Sequence, residues 1–171
     1  MGIKNYLSNI LDPKFGPHWL SYIFQSLLAT VAIFVVLITL RQQNLLVAAS
    51  LAATAFTVFV IPNSMAASSR NVVGGHVVGL IFGSLFALFP QNTDLAMDLM
   101  HALAVGSSIL VMSVTNTEHP PAAGTALGVV IAGFSYRIVL GVVMGVAILA
   151  MIHRLLKPVL IDLIANPFEK K

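Results

Sequence analysis

The chain has 171 residues, of which 58% are hydrophobic and only 9% are charged. A soluble domain carries about 25% charged residues, so this composition excludes a soluble globular protein and indicates an integral membrane protein. Cysteine is absent, which excludes disulfides and thiolate chemistry. The net charge of +3 is small and dispersed, which argues against a nucleic acid as partner.

The first thirteen residues predict a short interfacial helix. Apolar side chains recur there at helical spacing on one face, and the pattern ends at Asp12. Trp19 and Tyr22 are expected to anchor the following segment at the level of the lipid headgroups. That segment, residues 20–40, is longer than a signal-peptide core, so we expect no cleavable signal.

Six apolar segments follow one another along the chain. They cover residues 20–40, 45–61, 72–89, 95–114, 121–134 and 137–153. A bilayer core of roughly 30 Å needs about 20 helical residues, and the second and fifth segments fall short of that length. We therefore predict an all-α integral membrane domain over residues 14–157, with about six transmembrane segments, some of them short or broken. A polar tail, residues 158–171, is expected to follow.

A break is predicted immediately before the fifth segment, at Glu118-His119. Pro120 and Pro121 cannot continue a helix, because each lacks an N–H group and clashes with the preceding turn, but proline suits the first turn of a new helix. The new N-terminus is expected to carry partial positive charge and free N–H donors, which favour anions. The segment is either a half-helix inside the protein or a re-entrant segment. The alternative is a polar turn at the membrane surface.

The distribution of basic residues predicts the orientation. Lysine and arginine collect near both termini, whereas the turn at residues 90–98 has two aspartates and no base. Basic residues favour the cytoplasmic side, so both termini are expected in the cytoplasm, and the number of crossings is then even. We expect a multi-pass protein of the plasma membrane, most simply a bacterial inner membrane.

The two halves of the domain, residues 18–91 and 92–157, show a weak internal repeat. Arg70 and Arg137 each stand four residues before a glycine at the start of an apolar segment. Residues 47–50 (VAAS) parallel residues 121–124 (PAAG). With three segments in each half, the second copy is expected to be inverted relative to the first, an architecture found in many transporters and channels.

Two blocks of the sequence resemble a known family. The run NTEHPPAAGTAL at residues 116–127 resembles the defining motif of the HPP family of small integral membrane proteins, named for its His-Pro-Pro sequence. The blocks FVIPNS at 59–64 and RNVVGGH at 70–76 resemble the second characteristic region of that family. Relatives in chloroplasts and cyanobacteria are linked to nitrite transport, so the resemblance implies passage of a small anion. Some relatives carry an additional soluble regulatory domain, which we do not expect here.

The candidate substrate site combines the break with the second block. Arg70 is a fixed charge that either attracts an anion towards a mouth or anchors its segment. His119 either donates to an anion, carries a proton with it, or bonds a carbonyl freed by the broken helix. The full set of predicted substrate-binding residues is Arg70, Asn71, His76, Asn116, Glu118, His119, Pro120, Pro121, Ala122, Gly124 and Thr125.

Two members of this set have open roles. Glu118 repels an anion unless it is protonated or paired, and it is otherwise a surface residue. His76 lies inside the third segment, where a polar side chain faces either protein or water. It either lines the path or packs against another helix with one hydrogen bond.

The sequence thus predicts a transporter or channel for a small monovalent anion, with no cofactor and no metal, and the family resemblance implies that this anion is nitrite. One alternative is a membrane assembly subunit that does not transport. A membrane enzyme that uses Asp98, His101, Glu118 and His119 is a weaker alternative, because no nucleophile or complete set of metal ligands is evident. Six segments form a thin bundle, so a homo-oligomer is expected. The face with Gly75, Gly79 and Gly83, or the face with Gly141 and Gly145, is expected to pack closely on another helix.

Overall fold

A computed structural model describes residues 12–40 and 44–164, so the predicted N-terminal helix lies almost wholly outside the described residues. The described chain is helical and contains no strand. Short 3₁₀ turns at Met65–Ala67 and Lys157–Val159 follow the second and sixth helices. The described residues form six α-helices: α1 (Phe15–Leu40), α2 (Leu45–Val60), α3 (Ser69–Ala87), α4 (Asp94–Thr115), α5 (Pro120–Ala132) and α6 (Tyr136–Leu156).

The lengths of the helices agree with the predicted segments. Helices α1, α3, α4 and α6 are long and apolar enough to cross a membrane, whereas α2 and α5 have 16 and 13 residues. Apolar side chains such as Phe34, Leu110 and Val114 are exposed on the outside of the bundle, as lipid contact requires. The prediction of a helical membrane domain with two short helices is confirmed.

The helices alternate in direction, and both described ends of the chain lie at the same end of the bundle. Lys14 Nζ is 3.5 Å from the Asp162 carbonyl oxygen, and the Asp162 carboxylate accepts from the backbone N–H of Asn63 at 3.0 Å. A few residues further along this loop, the Ala66 carbonyl oxygen lies 2.8 Å from His119 Nδ1. We call this the His119 end of the bundle. The starts of three helices, α1, α3 and α5, and the ends of the other three, α2, α4 and α6, lie at this end.

Helix α3 packs most closely against α5, along its glycine face. A Cβ atom at Gly79 would overlap the carbonyl oxygen of Ala122, and one at Gly83 would lie 2.7 Å from that of Ala126. Small residues allow this approach of two backbones. On α6, a Cβ at Gly145 would lie 2.8 Å from the Leu51 side chain. Both glycine faces are therefore occupied within the protomer, so neither is free for a subunit interface. The homo-oligomer stays a prediction, with its interface elsewhere.

The packed helix pairs form a symmetric pattern. Each packed pair has a counterpart when α1, α2 and α3 are exchanged with α4, α5 and α6, respectively. The exchange converts α3–α5 into α2–α6, α3–α4 into α1–α6, and α4–α5 into α1–α2. It leaves the pairs α2–α5 and α3–α6 unchanged. The two short helices thus occupy equivalent central positions.

The segment after α6 packs back onto α1 and α2. The Gln25 amide donates to the carbonyl oxygens of Phe59 and Ile161, and its Oε1 accepts from the Ile161 N–H at 3.0 Å. Leu160 and Leu163 of the same segment are buried, and the Leu163 N–H donates to the Val60 carbonyl oxygen at 2.9 Å. The folded domain therefore extends beyond residue 157, where the sequence places the start of a polar tail.

Replacing Gln25 with alanine is expected to release this segment while the bundle remains folded. The change removes three hydrogen bonds, and each contributes about 0.5–1.5 kcal/mol. Amide hydrogen exchange at residues 160–163 should accelerate, and exchange within α3 should stay unchanged. The neighbouring Ser26→Ala is the matched control, because Ser26 is exposed. Unchanged exchange at residues 160–163 in Gln25→Ala would contradict this role.

Candidate functional site

The start of α5 lies inside the bundle. His119 is the N-cap residue, and Pro120 and Pro121 are the first two residues of the helix, so the predicted break is confirmed. A Cβ built on Gly75 would lie 2.7 Å from the Cβ of His119. Gly75 stands six residues beyond the first residue of α3, which is about 9 Å along the helix axis at 1.5 Å per residue. Because His119 contacts α3 at this position, α5 starts about 9 Å further into the bundle than α3 does. Helix α5 is therefore a half-helix that begins in the interior.

The first three positions of α5 offer no free N–H donor, which corrects the sequence analysis. Pro120 and Pro121 have no N–H group, and the N–H of Ala122 donates to the His119 carbonyl oxygen at 2.8 Å. What remains at this end is the partial positive charge of the aligned peptide dipoles, equivalent to about half an elementary charge.

The imidazole of His119 is fully buried and bonded on both nitrogens. Its Nδ1 lies 2.8 Å from the Ala66 carbonyl oxygen, and its Nε2 lies 3.1 Å from Thr54 Oγ1 on α2. Of the roles left open by the sequence, bonding a carbonyl is the one that this geometry displays. An anion that binds to this ring must displace one of the two partners.

The imidazole of His76 occupies the adjoining position on α3. Its Nε2 lies 2.8 Å from the same Thr54 Oγ1, and its Nδ1 lies 2.8 Å from Thr125 Oγ1 on α5. The His76 and His119 ring centroids are 5.1 Å apart. The ring is buried. His76 therefore makes two hydrogen bonds to other helices, where a single bond was considered.

Hydroxyl groups extend this arrangement to the backbone of α5. Thr125 Oγ1 lies 2.6 Å from Ser50 Oγ, which in turn donates to the Pro121 carbonyl oxygen at 2.7 Å. One continuous series of contacts thus joins two backbone carbonyls through five side chains from α2, α3 and α5. We call it the histidine–hydroxyl chain; in order it comprises Ala66 O, His119, Thr54, His76, Thr125, Ser50 and Pro121 O.

Thr54 is the central residue of this chain, and the sequence analysis missed it. Ser50 and Thr54 stand four residues apart, so they share one face of the apolar helix α2. That spacing is the signal that was available. It is a weak one, because hydroxyl groups in such helices commonly bond their own backbone, as Thr54 Oγ1 also does at 3.1 Å from the Ser50 carbonyl oxygen.

Other predicted site residues form a rim at the His119 end. Asn71 is buried, and its Nδ2 donates to the Glu118 carbonyl oxygen at 3.0 Å. Arg70 is exposed and donates to the Thr115 carbonyl oxygen at 3.1 Å. Asn116 ends α4 in the left-handed conformation, with φ 55°. The side chains of Asn116 and Glu118 are exposed. The side chains of Arg70 and Asn71 thus hold the segment between α4 and α5 through backbone carbonyl oxygens of that segment and of the end of α4.

The remaining predicted residues lie on α5 itself. Ala122 is buried under the glycine face of α3, and Gly124 faces α2, where an added Cβ would lie 3.4 Å from Ser50 Cβ. Pro120 is exposed and Pro121 is half-buried. These residues shape the backbone approach, and apart from the Pro121 carbonyl they contribute no polar atom to the chain.

A cavity of about 410 Å³ adjoins the start of α5. Since a water molecule in the liquid occupies about 30 Å³, the cavity has room for a small hydrated anion. Its walls are mostly apolar and come from α4, the break and α5. The lining residues are Ile109, Met112, Ser113, Glu118, His119, Pro120 and Ala123.

Together, fold and site define a helical multi-pass membrane protein with a broken helix and a buried pair of imidazoles. The family model described as the HPP transmembrane region matches residues 15–162. The chain belongs to the HPP family. The described residues contain no group of three metal-ligating side chains.

Relatives in Dictyostelium discoideum cover part of the chain. One, described as a transmembrane protein, is 36% identical over 88 residues, which is 52% of this chain and 31% of the relative. A second, also described as a transmembrane protein, is 34% identical over 90 residues, or 53% of this chain and 29% of the relative. The chain thus spans less than a third of the length of these relatives. No solved structure matches it.

Proposed function

We propose that the protein is a membrane transporter or channel for a small monovalent anion, with nitrite as the first candidate substrate. The observation that carries this proposal is the half-helix α5, whose positive end lies beside the cavity between α4 and α5. Irregular backbone inside a membrane domain is tolerated where it is buried in protein or lines a water-filled cavity. The half-helix end, Ser113 and the buried imidazoles supply the positive potential and polar groups that an anion needs.

Helix packing supports an inverted repeat as the framework of this path. The exchange symmetry of the packed pairs is what two three-helix copies related by a pseudo-twofold axis would give. In the sequence repeat, Ser50 corresponds to Gly124, and these two positions face each other between α2 and α5. Contacts between equivalent positions are expected near such an axis. The two short helices then meet at the centre, where transporters of this architecture bind their substrates.

Nitrite flux into liposomes that contain the purified protein tests the proposal. We expect saturable nitrite uptake well above that of empty liposomes, with nitrate, chloride and formate compared under the same ion gradients. Because Arg70 stands at the exposed rim beside the break, Arg70→Ala should slow uptake, and more so at low ionic strength. Arg154→Ala, also exposed but in the last turn of α6, is the control for charge removal.

Absence of flux for every anion tested, with a folded protein, would overturn the proposal. Equal reductions of nitrite uptake in Arg70→Ala and Arg154→Ala would be compatible with transport but would show that Arg70 has no specific role in attracting the anion. Accessibility of introduced cysteines near residues 12 and 118 from each side of oriented vesicles would test the expected cytoplasmic location of the His119 end.

A further inference from the structure

The two ends of the histidine–hydroxyl chain determine the position of its hydrogens. A backbone carbonyl oxygen only accepts, so His119 must carry its hydrogen on Nδ1 to bond Ala66, and Ser50 must direct its hydroxyl hydrogen to Pro121. Each end therefore fixes one donor, and the remaining hydrogens follow from these two.

The assignment propagates inward from the Pro121 end. Because the only hydroxyl hydrogen of Ser50 is used, Thr125 must donate in the contact between their oxygens. The hydrogen of Thr125 is then used as well, so His76 must donate from Nδ1 to Thr125 Oγ1. In a neutral imidazole one nitrogen carries hydrogen and the other is an acceptor. His76 Nε2 is thereby left as a bare lone pair.

The two assignments meet at Thr54. A neutral His119 also has no hydrogen on Nε2. Thr54 Oγ1 therefore lies within hydrogen-bond distance of two acceptor nitrogens, 2.8 Å from His76 Nε2 and 3.1 Å from His119 Nε2. Thr54 has a single hydrogen for both, and the Ser50 carbonyl oxygen competes for it. With neutral histidines, at least one buried nitrogen therefore faces oxygen with no hydrogen between them. An unsatisfied buried acceptor of this kind destabilises the folded state.

We propose that His76, Thr54 and His119 form a proton-binding site that takes up one proton beyond those of the neutral side chains. The added proton places a hydrogen on one Nε2, which then donates to Thr54 Oγ1. Thr54 directs its own hydrogen to the other Nε2. Both contacts at Thr54 are satisfied by this single proton, whose charge either imidazole can carry. Transfer between the two rings requires only that the Thr54 hydroxyl accept from one ring and donate to the other.

The charged groups around the site are few. Helices α2 and α5 contain no ionisable side chain. On α3, Arg70 bonds the Thr115 carbonyl at the rim, and on α4 Asp94, Asp98 and His101 stand in the first turns, at the opposite end of the bundle. The carboxylate of Glu118 is the acidic group closest along the chain, directly before His119, and it lines the cavity that His119 also lines. On α6, His153 bonds the Pro62 carbonyl, while Arg137 and Arg154 are exposed.

His119 belongs to the proton site and also lines the cavity, so a proton bound at the site can interact with an anion in the cavity. Burying an unpaired charge is costly, so a proton at the imidazole pair and an anion in the cavity stabilise each other. The protein would then carry the anion together with a proton. This coupling depends on the proposed function, whereas proton uptake by the site does not.

Nuclear magnetic resonance of ¹⁵N-histidine-labelled protein in lipid nanodiscs, recorded between pH 3.5 and 8, tests the site. We expect His76 and His119 Nε2 to change together in a single one-proton step in the wild type. Thr54→Val keeps the shape of the side chain but removes the bridging oxygen, so the two histidines should titrate separately. Thr54→Ser should restore the joint step. The exposed His18 provides the internal reference in every sample.

Independent titration of the two histidines in the wild type would overturn the proposal, and so would absence of proton uptake by either over this range. If Thr54→Val does not fold, the wild type and Thr54→Ser still decide the question. Adding nitrite separates the two proposals. Increased protonation of the pair at fixed pH supports coupling, whereas a joint step insensitive to every anion keeps the proton site and removes the anion function.

Discussion

Replacing His119 with asparagine is expected to slow nitrite flux by roughly five- to 150-fold, the factor that corresponds to about 1–3 kcal/mol. The asparagine amide can reproduce the donor to the Ala66 carbonyl, so the segment between α4 and α5 should keep its position. It cannot reach Thr54, so the link between the break and α2 is lost. The measurement is the initial rate of nitrite uptake at equal amounts of reconstituted protein. His119→Ala, which loses both partners, should abolish uptake.

The control for this prediction is His18→Asn, because His18 is an exposed histidine near the start of α1. It should transport as the wild type does. Circular dichroism and elution volume in detergent report whether each variant is folded. Wild-type uptake by a folded His119→Ala would mean that the anion path does not involve the break.

Replacing Gly79 with alanine is expected to destabilise the protein by about 1–3 kcal/mol or more, as overpacking of a close interface does. The added methyl group would overlap the carbonyl oxygen of Ala122. A backbone atom cannot move aside as a flexible side chain can, so α3 and α5 must separate. His76 lies on α3 and His119 is the N-cap residue of α5, so the histidine–hydroxyl chain would lengthen as well. Unfolding in mixed micelles at increasing denaturing detergent measures the change.

The same substitution at Gly106 on α4 should stabilise the folded protein. No atom lies within 4 Å of a Cβ built there, so nothing opposes the higher helix propensity of alanine, worth about 1 kcal/mol. The pair therefore separates interhelical contact from intrinsic propensity with one chemical change. Similar stability of the two variants would show that α3 and α5 are not in the close contact described here.

The broken helix could be predicted from sequence because two consecutive prolines permit so few conformations. Pro120 and Pro121 exclude helix interior and favour a helix start, and α5 begins at Pro120. Their effect on hydrogen bonding follows from the same chemistry, since the missing N–H groups could have been counted in advance. The remaining donor, that of Ala122, could not, because its bond to His119 depends on how tightly the first turn winds.

Other parts of the site depend on which helices meet, and no local pattern contains that information. His76 and Thr125 were predicted site residues, yet nothing in their spacing pairs them with Thr54. The glycine face of α3 predicted a close partner helix but not that α5 of the same chain fills this role. The hydrogen bonds between Ile161 and Gln25 join residues far apart in sequence, and they were missed for the same reason.

The contacts of Gln25 also bear on how the protein is made. Helix α1 is the first of the six to leave the ribosome, and it carries a buried amide whose partners come from Phe59 and from Ile161, near the end of the described chain. Until Ile161 has been synthesised, that amide lacks two of its three bonds in a lipid environment. Release of α1 from the insertion machinery into its final position is therefore expected to wait until α6 and the segment after it have been synthesised.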